Sequence, residues 1–150
     1  ADTALLTREY LSVYKKELQD GIEETKKILL LHIDSDKEVT TLIFERIKPA
    51  VVKFLGEHQE YALYLAADGV KRDAVYNEYL EQFAQYSPHV LKYDDPWVLC
   101  KQIERANIVI TTKLHVGIVA SSLGTSVISF PNIPNKIPTL AASDAMISCS

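Results

Sequence analysis

Hydrophobic positions along the chain switch between two periods. Within residues 3–19, Leu6, Tyr10, Val13, Tyr14 and Leu18 recur at helical spacing, and Gly21 is a stop signal. Ile28-Leu29-Leu30-Leu31-His32-Ile33 then runs almost without a polar residue. An unbroken apolar run of this kind predicts a strand covered on both faces, as in parallel sheets. Ser35 and Glu38 have capping-box spacing and predict a helix from about residue 38 to residue 55, with Val39, Leu42, Ile43, Ile47, Val51, Phe54 and Leu55 inward. Pro49 falls inside that pattern. It has no backbone donor, so the helix should kink or split near Lys48.

The alternation continues to residue 130. Residues 61–67 form a second strand run, closed by Asp68-Gly69. Val75, Tyr79, Leu80 and Phe83 mark a helix ending near Ser87-Pro88, and residues 90–93 a short third strand. Asp95-Pro96 reads as an N-cap and first-turn proline opening a helix from Trp97 to Arg105. Residues 108–111 are a fourth strand, Leu114 to Leu123 a helix stopped by Gly124, and residues 126–130 a fifth strand. Pro131, Pro134 and Pro138 make the next segment irregular.

Strands joined by helices demand parallel crossovers, which are right-handed. The expected fold class is α/β: an open, doubly wound parallel sheet of about five strands in the order 3-2-1-4-5, with helices on both faces. The expected organisation is one Rossmann-like domain over residues 1–150. Its helix runs to residue 21, its core spans 28–137, and the tail 138–150 is unplaced. The switch point then lies between strands 1 and 4, and ligands bind outside the carboxyl ends of the strands there.

That rule selects three loops. They carry Asp34, Ser35 and Asp36 after strand 1, Thr112, Lys113, Leu114 and His115 after strand 4, and Lys136 after strand 5. The second is the richest. A helix starting near Leu114 offers free N–H groups and a positive dipole end to an anion. Lys113 adds a cation, Thr112 a hydroxyl, and His115 a proton donor near neutral pH. Lys136 could add a second cation, and Asp34 is a second proton carrier, although Asp34 and Asp36 also suit helix capping. His32, inside an apolar run, reads as a satisfied buried histidine, and Trp97 and the tyrosines of residues 75–93 as packing groups.

Composition narrows the function classes. The chain is 47% hydrophobic and 24% charged, as folded domains are. Sixteen Lys and Arg against twenty Asp and Glu give a net charge of −4, and no basic stripe argues for nucleic acid. No apolar run reaches the roughly 18 residues of a membrane span. Cys100 and Cys149 have neither metal-ligand spacing nor a dense disulfide pattern, which points to a reducing, cytoplasmic compartment. Five glycines form neither a dinucleotide fingerprint nor a phosphate-binding P-loop. No cofactor and no metal is called for.

The segment from Arg105 to Phe130, with Thr112-Lys113-Leu114-His115, Leu123-Gly124 and Val127-Ile128, resembles the polysaccharide pyruvyl transferase family. That family shows a hydrophobic strand, then Ser/Thr-Arg-Leu-His, a helix ending in Leu-Gly, and a further strand. The resemblance implies a fold like the donor half of two-domain GT-B glycosyltransferases. It implies transfer of pyruvate from phosphoenolpyruvate to a sugar of a surface or exopolysaccharide. Lys113 would pair with the donor's phosphate or carboxylate, His115 would bind or protonate it, and Lys136 matches a later family lysine loosely. Lys113 replaces an arginine, trading a bidentate fork for a point charge. The acceptor-binding domain that precedes this one in the family has no room in 150 residues, and the chain alone would bind without turning over. Two other readings compete. One is the nucleotide-sugar-binding half of a GT-B glycosyltransferase or sugar-nucleotide epimerase. The other is a non-catalytic flavodoxin-like binding or assembly module. A homo-oligomer stays open in all three.

Overall fold

The computed structural model describes residues 7–14, 22, 26–33, 36–67, 72–93 and 95–130. Five strands, β1 (Lys27–Ile33), β2 (Tyr61–Ala67), β3 (His89–Leu91), β4 (Ile108–Thr111) and β5 (Ser126–Ser129), form one parallel sheet. Their order is β3-β2-β1-β4-β5, as the alternation of strand and helix signals predicts.

Side chains alternate between the two faces of each strand, and both faces are covered. Leu29, Leu31, Ile33, Leu63 and Leu65 pack against α2 (Lys37–Leu42), α3 (Lys48–Glu57) and α4 (Arg72–Gln82). Ile28, Leu30, Tyr64, Val109 and Val127 pack on the opposite side against α1 (Thr7–Tyr14), α5 (Pro96–Arg105) and α6 (Leu114–Ser122). Double coverage is why β1 is apolar from Ile28 to Ile33 at every position but His32.

Pro49 acts as expected, by way of a π turn. Residues Ile43–Ile47 are wound wider, and the Lys48 N–H donates to Ile43 O, five residues back. Pro49 then sits in the first turn of α3, where no donor is needed. Ile43 and Ile47 stay buried through the change.

The structure corrects two local expectations. The cap of α2 is Asp36, not Ser35: its carboxylate accepts from the N–H groups of Glu38 at 2.9 Å and Val39 at 3.1 Å. An ionised carboxylate at that position binds the positive end of the helix better than a hydroxyl one residue earlier. In α1 the inward residue is Leu11, whereas Val13 is 63% and Tyr10 39% exposed. Tyr10 and Val13 of the predicted stripe therefore do not enter the core, and the side chains of Leu6, Tyr14 and Leu18 lie outside those described. Tyr10 stacks on Trp97 of α5 with centroids 4.3 Å apart.

Three devices fix the sheet and its helices. Asn107 clamps the start of β1 to β4, its Oδ1 accepting from Ile28 N–H at 2.8 Å while its own N–H donates to Ile28 O at 3.0 Å. The Tyr76 hydroxyl accepts from Ala67 N–H and donates to Leu91 O, each at 2.7 Å, tying α4 to the carboxyl ends of β2 and β3. Gly124 closes α6 with φ 76°: its N–H donates to Ser121 O and that of Thr125 to Ala120 O, a Schellman arrangement.

Candidate functional site

The carboxyl edge of the sheet changes character in its last row. Leu91, Ala66, His32, Thr111 and Ser129 are successive cross-strand partners and share the face that α5 and α6 cover. Two positions earlier, the row through Tyr64, Leu30, Val109 and Val127 belongs to the apolar core. His32, Thr111 and Ser129 are all buried. Polar side chains are thus concentrated at one pole, on β1, β4 and β5, on either side of the switch point.

The β4–α6 turn builds the site outward from that row. Thr111 Oγ1 accepts from the Lys113 N–H at 3.0 Å, which shapes the turn. Lys113 is the N-cap of α6, extended at φ −96° and ψ 123°, and its side chain makes no cap bond. The first turn of α6 contains no acidic residue. The N–H groups of Leu114, His115 and Val116 consequently have no intrahelical acceptor and no side-chain cap. By contrast α2 and α5 start under the carboxylates of Asp36 and Asp95. Among the described residues no cap bond or first-turn acid compensates the positive end of α6, and Lys113 adds to it.

The expected residues divide between two surroundings here. Leu114 is half-buried and packs into the core under α6, which anchors the helix start. His115, next along, is exposed in the first turn, and Lys113 is half-buried. Thr112 is 4% exposed, and its Oγ1 has no hydrogen-bond partner among the described residues. A buried hydroxyl in that state costs about 1–3 kcal/mol, which a ligand oxygen would recover. Asp34, Ser35 and Lys136 lie outside the described residues. Asp36, the third acid-loop residue, is occupied as the α2 cap.

The signature of the polysaccharide pyruvyl transferase family matches residues 1–134. The chain belongs to that family. No curated protein matches its sequence. Solved structures share its fold at low identity. The Neisseria meningitidis UDP-GlcNAc 2-epimerase bound to UDP-GlcNAc superposes with TM-score 0.67 at 12% identity, over 93% of this chain and 38% of its own. The S. aureus MnaA–UDP structure gives 0.64 at 14% identity, over 91% and 38%. The β-Kdo 2,4-transferase KpsC of Thermosulfurimonas dismutans gives 0.55 at 16% identity, over 86% and 44%. The fold is therefore that of GT-B-like glycosyltransferases and epimerases, and the chain spans less than half the length of these neighbours.

Within this pyruvyl transferase family member, one candidate residue escaped sequence reasoning. Ser129 is 7% exposed and its Oγ has no hydrogen-bond partner among the described residues. A lone hydroxyl ending an apolar strand was visible, but only the pairing of β5 with β4 brings it to Thr111. A described cavity lies elsewhere. It measures about 380 Å³ and is lined by Lys26, Leu55, Gly56, Tyr61 and Tyr86, at the amino ends of β1 and β2. Among the described residues no group of His, Cys, Asp and Glu could hold a metal ion, and no helix is long and apolar enough to cross a membrane.

Proposed function

We propose that the chain is the donor-binding part of a polysaccharide pyruvyl transferase. The donor is phosphoenolpyruvate and the acceptor a sugar of a surface or exopolysaccharide. Family membership supports the reaction class. The single observation that supports the site is the uncapped, acid-free start of α6 beside the buried, unpartnered Thr112 hydroxyl.

In this reading the α6 amides and Lys113 hold the anionic donor, and Thr112 donates to one of its oxygens. Leu114 keeps the helix start against the core. His115, exposed at the first turn, handles protons, and Asp34 is the alternative carrier. Ser35 and Lys136 are donor-binding groups from the neighbouring loops. Two sugar hydroxyls add to C2 of phosphoenolpyruvate and the C2–O bond to phosphate breaks. One hydroxyl proton ends on C3, making the methyl group, and the other leaves with phosphate. Proton transfer by a placed side chain typically contributes ~10²–10⁴ in rate. The acceptor would be presented by the part of the protein beyond this chain. A phosphoenolpyruvate donor puts the reaction in the cytoplasm.

The nucleotide-sugar reading remains the rival, since the neighbours include UDP-bound enzymes. Calorimetric titration separates the two. Phosphoenolpyruvate should bind the wild type and bind Lys113→Ala at least about tenfold more weakly, as loss of a charge-assisted bond implies. Heat with UDP and none with phosphoenolpyruvate would transfer the site to the rival.

A further inference from the structure

The family motif accounts for the β4 side of the site and leaves its β5 side bare. Ser129 ends β5 as the cross-strand partner of Thr111. Such partners lie about 4.8 Å apart and project to the same face. Thr111 Oγ1 is itself 3.0 Å from the Lys113 amide, so Ser129 stands beside the start of α6, on the side that α6 covers. Its hydroxyl is buried and unpartnered among the described residues, like that of Thr112.

The start of α6 beside it offers donors, its first amides, with the cationic side chain of Lys113 on the same turn. A hydroxyl placed beside donors finds its missing partner in an acceptor that the described residues do not offer there. The complement is a group with several anionic oxygens. Amides, ammonium and two hydroxyls outnumber the two oxygens of a carboxylate and suit the three terminal oxygens of a phosphoryl group.

We propose that Ser129 is a ligand-binding residue of this site, its Oγ–H donating to the phosphoryl end of the donor, which lies across β4 and β5. The assignment rests on the donor-binding reading above.

The test is calorimetric titration of phosphoenolpyruvate and of inorganic phosphate into wild type, Ser129→Ala and the near-isosteric Thr112→Val, with melting temperatures measured alongside. Each variant should bind both probes about tenfold or more weakly. Neither should melt lower without ligand, because each loses a buried polar group that has no internal bond. Wild-type affinity in Ser129→Ala would overturn the proposal and leave the donor reading standing. A lowered melting temperature in Ser129→Ala would also overturn it, by revealing an internal bond. Weakening of phosphoenolpyruvate alone would overturn the phosphoryl assignment. A wild type that binds neither probe would remove both readings together.

Discussion

Thr111 Oγ1 accepts a hydrogen bond from the backbone N–H of Lys113, two residues further along, at 3.0 Å. The last side chain of β4 thereby sets the turn that aims α6. It satisfies one of the four orphan amides of that helix, and the other three have no intrahelical acceptor. Thr111→Val keeps the shape and removes the acceptor. The expected cost is about 1 kcal/mol of stability in urea unfolding. Phosphoenolpyruvate affinity should fall in the same variant, because the amides that receive the donor lose their fixed direction.

Lys113 stands where the family motif has arginine. Arginine would restore two parallel donors in a rigid fork and would hold a carboxylate or phosphate bidentately. Lys113→Arg should tighten phosphoenolpyruvate binding several-fold, up to about tenfold, read by titration. Weaker binding in Lys113→Arg would mean that this member has rebuilt its site around the smaller cation.

Tyr76→Phe tests the clamp at the other side of the switch point. The hydroxyl serves two buried backbone groups, Ala67 N–H and Leu91 O, and its loss leaves both without that partner. The change should cost about 1–3 kcal/mol, measured by thermal or denaturant unfolding. Donor binding should be unchanged, since β2 and β3 do not border β4 or β5.

Cys100 gives a pH dependence with a defined sign. Burial, reinforced by the negative charge of Asp95, pushes its thiol from an ordinary 9.0 up to about 11. The folded state therefore holds the proton more tightly than the unfolded chain. This contribution to stability is complete below pH 9 and is lost between about 9 and 11. Unfolding free energy should decline over that window in wild type and less steeply in Cys100→Ala. At pH 7 to 8 the thiol should react slowly with alkylating agents, faster only on unfolding.

Much of the architecture was legible because it depends on local pattern. The apolar run of β1 announced a doubly covered strand, Asp95-Pro96 opened α5, and Gly124 closed α6. Pro49 marked the split between α2 and α3, though not the π turn that absorbs it. The errors lay where two local solutions competed. Ser35 and Asp36 could both have capped α2, and the carboxylate prevailed. The periodicity of α1 named Tyr10 and Val13, while contact with the sheet selected Leu11.

The β4–α6 motif was likewise readable as an anion site, since residues 111–115 are contiguous and their chemistry is written in order. Sequence alone thus determined the strand order, and from it came the expectation of an anion at the carboxyl pole beside Lys113. Tertiary structure alone decided that Ser129 joins Thr111, that Thr112 is buried without a partner among the described residues, and that Leu114 turns inward while His115 faces out. The physical reason is range. Caps, turns and apolar runs are settled by neighbours within a few residues, whereas burial and cross-strand adjacency depend on which distant segment the sheet places alongside.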